Sequence, residues 1–154
     1  MIIAGINQLV NPFLEQEFSI SLTQAGLYTT VWGIGVVLGG VTGGALIQKI
    51  GRKNGTLTAL LISLLSGLAL AITSGPGAAW LIVGLFGLAY GTYQTVYFAL
   101  SMNFTDSRIA ASMFSILMAV SNIAQGVGMA ASGFMADGID FRMTFVIFAV
   151  LNLA

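Results

Sequence analysis

A chain of 154 residues with 57% hydrophobic and only 6% charged side chains has too little polar surface to cover a soluble fold. Its five basic and five acidic residues cancel, so nothing in the net charge points to a nucleic-acid partner. The sequence contains no histidine and no cysteine. Because imidazole and thiolate ligands are therefore absent, we expect neither a metal site nor a cofactor.

The charged residues fall in short clusters separated by long apolar stretches, and this spacing predicts membrane-spanning helices. A helix needs about 20 apolar residues to cross the hydrocarbon, where every backbone amide must be paired within its own segment. The expected fold class is an all-α, polytopic membrane helical bundle formed by residues 1–154. Breaks at 51–55 and 74–77, which contain glycine or proline, separate neighbouring helices. The predicted helices are 2–14, 24–48, 56–73, 78–103, 110–134 and 143–154.

The first and last predicted helices are too short to span a membrane. About 13 residues rise roughly 20 Å, whereas the hydrocarbon is about 30 Å thick. The interpretation is four complete spans and two partial ones, in a fragment whose Met1 is an internal methionine. Short re-entrant ends are the alternative. The first basic residue is Lys49, which argues against a cleaved signal peptide.

Basic residues predict how the bundle is oriented in the membrane. The loops after 24–48 and 78–103 hold Lys49, Arg52, Lys53 and Arg108, whereas the opposite loops hold only Arg142. Because basic loops remain in the cytoplasm, residues 49–55 are expected on the cytoplasmic side of an integral, multi-pass membrane protein.

Glycines recur at four-residue intervals on two of the predicted helices. They are Gly35, Gly39 and Gly43 on the second helix, and Gly87 and Gly91 on the fourth. This spacing forms a groove in which a neighbouring backbone can approach closely. We therefore predict tight helix packing at these glycines, which suits a protein whose parts rock past one another.

The most specific motif is the segment from Gly44 to Lys53. A basic cytoplasmic turn explains its charges but not the spacing of Gly44 and Gly51, which precede Arg52 and Lys53. The segment resembles the loop signature of the major facilitator superfamily (MFS), in which an acidic residue stands four positions after the first glycine. Here Gln48 stands in that position, so the charge relay of the family cannot be transferred to this chain.

The resemblance implies an MFS-type six-helix half. In the family the signature joins the second helix to the third, and a weaker copy joins the eighth to the ninth; the missing acid matches the weaker copy. Residues 87–137 are similar to the tenth and eleventh helices of facilitator permeases. The runs 104–115 and 133–137 resemble the muropeptide permease branch in particular. The chain is therefore interpreted as a carboxyl-terminal half whose amino-terminal six-helix half is missing.

Polar faces on three predicted helices indicate a substrate cavity. The family resemblance implies that the third and sixth helices of a half lie away from the translocation path, and the third helix here is apolar. Amides at membrane depth are costly unless they face a cavity or a neighbouring helix. For Trp32, packing is favoured over stacking on a substrate. The cavity candidates are Asn7, Asn11, Tyr93, Gln94, Asn122 and Gln125.

The predicted function is transport of a small polar solute by alternating access, with lipid and a small-molecule substrate as partners. With no histidine, no cysteine and no acidic or basic side chain well inside a predicted span, we expect no enzyme. For the same reason a proton-coupling group would lie in the missing half, and a uniporter or a sodium-coupled carrier stays open. The alternatives are a membrane scaffold that does not transport, and a half-size protein that dimerises through the glycines of the second helix.

Overall fold

The computed structural model describes residues 2–103 and 107–152, and within these ranges the chain forms five α-helices. A short 3-10 turn, Ser107–Ile109, precedes the fourth helix. The run Phe104 to Asp106 and the predicted end of the last helix at Ala154 lie outside the described residues. The helices are α1 (Ile2–Phe18), α2 (Leu22–Ala71), α3 (Pro76–Asn103), α4 (Ala110–Gly138) and α5 (Phe141–Leu151).

Helix α2 contains 50 residues and consists of two helices that meet at Gly51. Gly51 has φ 77° and ψ 170°, a conformation that costs little only for a residue without a Cβ atom. We name residues 22–50 α2a and residues 52–71 α2b. The sequence predicts a five-residue break at 51–55, but one glycine with positive φ redirects the chain and helix α2b resumes directly after it.

The helices present long apolar surfaces outward. Among the described residues three helices are long and apolar enough to cross a membrane, namely α2, α3 and α4. Large apolar side chains such as Val41, Ile123 and Phe134 are 71%, 70% and 81% exposed. An aliphatic or aromatic surface of this extent needs lipid or another protein to cover it.

Helices α2a and α3 pack with their backbones in direct contact. A Cβ atom added to Gly39 would collide with the carbonyl oxygen of Leu88, and one added to Gly87 with that of Trp32. Thr92 donates a hydrogen bond across the same contact to the carbonyl oxygen of Gly39, at 3.1 Å. Small residues therefore let the two helices approach closely, and a buried hydroxyl ties them together. The other glycines at this crossing are Gly35, Gly43 and Gly91.

Helix α1 lies at the centre of the bundle and contacts α2, α3, α4 and α5. Among its buried apolar residues, Ile6, Phe13 and Leu14 are at most 1% exposed. Phe13 packs edge-on against Phe145 of α5, with ring centroids 5.3 Å apart. Gly5 lies so close to α4 that an added Cβ would stand 2.9 Å from the carbonyl oxygen of Gly128. Helix α1, which the sequence predicts to be too short to span a membrane, is thus the helix around which the others pack.

Arg142 joins three helices at the end of the bundle opposite Gly51. Its guanidinium donates to the Glu17 carboxylate at 2.7 Å and to the carbonyl oxygen of Ala71 at 2.9 Å. The same group lies 5.6 Å from the centroid of the Phe13 ring. A charge-assisted hydrogen bond to a carbonyl at a helix carboxyl terminus is favourable for both charge and geometry. The ends of α1, α2b and α5 are held together in this way.

Substitution of a crossing glycine tests the importance of the backbone contact. Gly39→Ala is expected to lower the free energy of unfolding of the full-length protein by about 1–3 kcal/mol, because the added methyl group meets backbone that cannot move alone. Thermal unfolding in detergent measures the loss. Gly33→Ala on the same helix is the matched control, since a Cβ there meets nothing within 4 Å. Equal destabilisation by both substitutions would contradict the prediction.

Candidate functional site

A half-open cavity of about 340 Å³, named cavity 1, lies between α1, α3, α4 and the end of α5. This volume falls within the range of about 300–1,000 Å³ that is usual for small-molecule sites. Its lining combines aromatic rings, amides and hydroxyls, and contains no acidic or basic residue among those described. The lining residues are Ile3, Ala4, Tyr90, Tyr93, Gln94, Tyr97, Phe98, Val120, Ser121, Ala124, Gln125, Leu151 and Asn152.

Two amide–hydroxyl pairs give cavity 1 both donors and acceptors. Gln94 Nε2 donates to the Tyr90 hydroxyl at 3.3 Å, and Gln125 Nε2 donates to Ser121 Oγ at 3.3 Å. In each pair the residues are four apart, so they stand on one face of their helix. The side-chain carbonyl oxygens of both glutamines and the phenolic O–H of Tyr90 remain for a solute.

Asn152, the residue directly after α5, brings a third amide to cavity 1. Its Nδ2 atom is buried and has no hydrogen-bond partner among the described residues. An amide donor removed from water without a partner costs free energy. The Asn152 amide therefore favours an oxygen atom of a solute or of water within cavity 1.

The aromatic side of cavity 1 consists of Tyr93, Tyr97 and Phe98. The rings of Tyr97 and Phe98 lie 5.4 Å apart in an edge-to-face arrangement. Aromatic faces beside hydrogen-bonding groups suit a solute with both an apolar face and polar edges. The cavity can thus bind and orient a polar molecule.

A second cavity, cavity 2, has a volume of about 170 Å³ and lies between α1, α2a and α3. Asn11 Nδ2 donates to Thr29 Oγ1 at 3.2 Å and so links α1 to α2a. Cavities 1 and 2 share no lining residue. The residues that line cavity 2 are Asn7, Gln8, Val10, Asn11, Tyr28, Thr29, Trp32 and Val83.

The structure separates the six residues that the sequence nominates for a single cavity. Tyr93, Gln94 and Gln125 line cavity 1, and Asn7 and Asn11 line cavity 2. Asn122 lines neither cavity and is exposed. Successive residues of a helix differ by about 100°, so Asn122 points away from the direction of Ser121.

Two residues that line these cavities, Asn152 and Trp32, do not belong to the polar helix faces from which the sequence predicts the site. Asn152 belongs to a predicted helix that the family resemblance places away from the path, and Trp32 is expected to pack. A lone amide in an otherwise apolar helix was the available signal for Asn152. Apolar lining residues such as Val120 cannot be predicted from the sequence, because apolar side chains that face a cavity look the same in sequence as those that face lipid.

The loop motif lies at the opposite end of the bundle from Arg142. Gln48, Arg52 and Lys53 are exposed, and Gly51 makes the break between α2a and α2b. A Cβ added to Gly44 would meet nothing within 4 Å. The described residues therefore explain the glycine at 51 but place no steric demand on the one at 44.

Comparison with known proteins decides the family. Residues 1–154, the whole chain, match the Major Facilitator Superfamily. The chain belongs to this superfamily. As a facilitator protein it is integral to the membrane and crosses it several times, in agreement with its apolar helices. No solved structure gives a significant match.

Three curated relatives have names that describe transport. The putative metabolite transport protein YwtG of Bacillus subtilis (strain 168) is 30% identical over 84 residues, covering 54% of this chain and 18% of that protein. The hexuronate transporter of the same organism is 24% identical over 143 residues, covering 92% and 34%. The probable actinorhodin transporter of Streptomyces coelicolor (strain ATCC BAA-471 / A3(2) / M145) is 28% identical over 144 residues, covering 89% and 25%. The chain thus spans about a third or less of these relatives.

Cysteine labelling tests whether cavity 1 contains water. The 154 residues include no cysteine, so one thiol can be introduced per variant, in a full-length protein freed of any others. Gln94→Cys is expected to react with a hydrophilic methanethiosulfonate at least about tenfold faster than Thr95→Cys, because only a hydrated thiol forms the reactive thiolate. Thr95 does not line cavity 1 and stands beside Gly40 at the α2a–α3 crossing. Equal labelling rates would show that cavity 1 is closed to water.

Proposed function

We propose that this chain is the carboxyl-terminal half of a facilitator transporter that carries a small, uncharged polar solute by alternating access. The supporting observation is cavity 1, where two amide–hydroxyl pairs, a buried unpaired amide and aromatic rings converge in an apolar bundle. Such a lining can exchange the hydration of a solute for hydrogen bonds of the protein at membrane depth. Tight packing of α2a on α3 supports movement of the bundle as a rigid body.

Uncharged character is proposed for the solute because the described lining of cavity 1 holds no cation or anion. An isolated charge that leaves water for such a site would lose its hydration without gaining a counter-ion. The relatives are named for a metabolite, for hexuronate and for actinorhodin. From these names we carry over transport to this chain, and we do not carry over a cargo.

The half and its orientation are proposed on sequence grounds. Gln48 stands where the complete loop signature has an acid, as in the weaker copy between the eighth and ninth helices. Four basic residues near Gly51 and before α4 favour a cytoplasmic loop at 49–55.

The described residues of both cavities include no carboxylic acid and no histidine, so a proton-coupled mechanism would need its titrating group in the other half. Similarity of the runs 104–115 and 133–137 to the muropeptide permease branch stays a prediction.

Part of the glycine surface that the half-size alternative needs is already occupied, whereas a Cβ added to Gly44 would meet nothing within 4 Å. Gly35, Gly39 and Gly43 are buried, and added Cβ atoms at these positions would meet α3 of the same chain. These glycines are therefore not free to pack against a second copy. The non-transporting scaffold is distinguished from a transporter by uptake measurements.

Uptake into proteoliposomes that contain the full-length protein tests the proposed function. D-Glucose and N-acetyl-D-glucosamine are expected to enter faster than D-glucuronate, the charged counterpart of D-glucose. Gln94→Ala and Gln125→Ala should each lower the initial rate about 3- to 10-fold, as expected from the loss of one hydrogen bond. Thr95→Val, which changes the neighbour of Gln94 outside the cavity, is the control and should leave the rate unchanged. Absence of protein-dependent uptake of both neutral sugars would contradict the proposal.

A pair of exposed loop positions tests the proposed orientation. Asn54 and Ser74 are both exposed and lie at opposite ends of α2b. In intact cells a membrane-impermeant maleimide should label Ser74→Cys, whereas Asn54→Cys should react only after permeabilisation. Reversal of this pattern would place residues 49–55 outside the cell.

A further inference from the structure

We propose that cavity 2 is a second solute subsite, in which the indole N–H of Trp32 donates a hydrogen bond to a hydroxyl or amide oxygen of an uncharged solute. The proposal rests on the transport function proposed above. It adds a recognition group and a position along the path that cavity 1 does not supply.

Trp32 carries the argument because its polar atom has no partner. Its Nε1 atom is buried and makes no hydrogen bond to any described residue. The indole N–H can only donate, and burial of a donor without an acceptor is unfavourable. Trp32 lines cavity 2, and we assign an oxygen atom of a solute in that cavity as the acceptor.

Several polar groups that line cavity 2 already make hydrogen bonds within the protein, which limits the groups that remain for a solute. Thr29 Oγ1 donates to the carbonyl oxygen of Ala25 at 3.0 Å and accepts from Asn11 at 3.2 Å. The Tyr28 hydroxyl donates to the carbonyl oxygen of Pro76 at 2.8 Å. These bonds fix the wall of cavity 2, while the Trp32 N–H stays uncommitted.

Helix α1 supplies further polar lining to cavity 2. Pro12 lies within this helix and has no N–H, so the backbone carbonyl of Gln8 loses its usual donor four residues on. Gln8 lines cavity 2. A hydroxyl or amide group, which both donates and accepts, suits a cavity lined by Trp32 and by amide side chains of α1. The described lining residues bear no charge, which favours an uncharged group.

Trp32 also stands at the boundary between the two cavities. Its ring centroid lies 5.6 Å from that of Tyr90, at an interplanar angle of 54°. Trp32 lines cavity 2, whereas Tyr90 lines cavity 1. The two rings therefore form a partition, and the hydroxyl of Tyr90 already accepts a hydrogen bond from Gln94.

The cavities succeed one another along α1. Residues 3 and 4 line cavity 1, and residues 7, 8 and 11 line cavity 2, which corresponds to about 8 Å along the helix axis. Cavity 2 is the nearer of the two to the Phe18 end of α1. Its volume of about 170 Å³ is below that of a usual whole-ligand site. A solute that arrives from this end would place one polar group against Trp32 before it passes the Trp32–Tyr90 partition.

Fluorine NMR of the full-length protein labelled with 5-fluorotryptophan tests the subsite. The resonance that Trp32→Phe removes belongs to Trp32, and Trp80→Phe identifies the second tryptophan of this chain. Titration with D-glucose or N-acetyl-D-glucosamine is expected to shift the Trp32 resonance in a saturable manner. The Trp80 resonance should move less, because Trp80 stacks on Tyr28 and lines neither cavity.

Two adjacent threonines provide a matched pair for the titration. Thr29→Val should weaken the apparent affinity about 3- to 10-fold, since it removes the group that holds Asn11 at the cavity wall. Thr30→Val should leave it unchanged, because Thr30 makes the same kind of bond to its own helix, 3.1 Å to the Gly26 carbonyl, but does not line cavity 2.

A Trp32 resonance that responds to neither sugar would overturn the subsite, as would equal losses from Thr29→Val and Thr30→Val. Uptake of the same sugars distinguishes this failure from failure of the transport proposal. Uptake without a Trp32 shift refutes the subsite and leaves transport standing. A saturable shift without uptake supports the subsite and counts against transport.

Discussion

Close contact between the backbones of α2a and α3 is the constraint on which the remaining features depend. Glycines on both helices remove the side chains that would hold them apart, and Thr92 adds a hydrogen bond across the contact. The crossing brings Trp32 of α2a beside Gly87 and Tyr90 of α3. The aromatic pair that separates the two cavities is therefore a direct product of the glycine spacing. Bulkier residues at the crossing would move the partition as well as the helices.

The sequence predicts the kind of structure better than the position of individual side chains. The apolar stretches place the helices because hydrocarbon leaves the backbone no other arrangement. Four-residue glycine spacing predicts a close packing surface, but it cannot reveal that α3 of the same chain fills it. Gly51 gives a second example. The break in the apolar pattern predicts that one helix ends there, but it does not reveal that a single residue makes the turn.

The regular polar faces of α3 and α4 are the part of the cavity lining that the sequence pattern indicates, and their role in binding stays a prediction. Gln94 and Tyr90 lie four residues apart, as do Gln125 and Ser121, and these pairs line cavity 1. Asn122 has the right chemistry but a different angle around α4, which composition does not encode. Trp32 and Asn152 acquire their significance from burial without a partner. That property depends on what surrounds a side chain, so no local pattern reports it.

The described residues form two uncharged polar cavities arranged along α1, and under the proposed function both lie on the path of the solute. A cryo-EM map of the full-length protein in lipid nanodiscs, with N-acetyl-D-glucosamine added, tests this claim most directly. We predict that cavity 1 opens to the space between the two halves and contains solute density within hydrogen-bonding distance of Gln94 or Gln125. A map in which side chains from the rest of the protein fill cavity 1 would contradict the account.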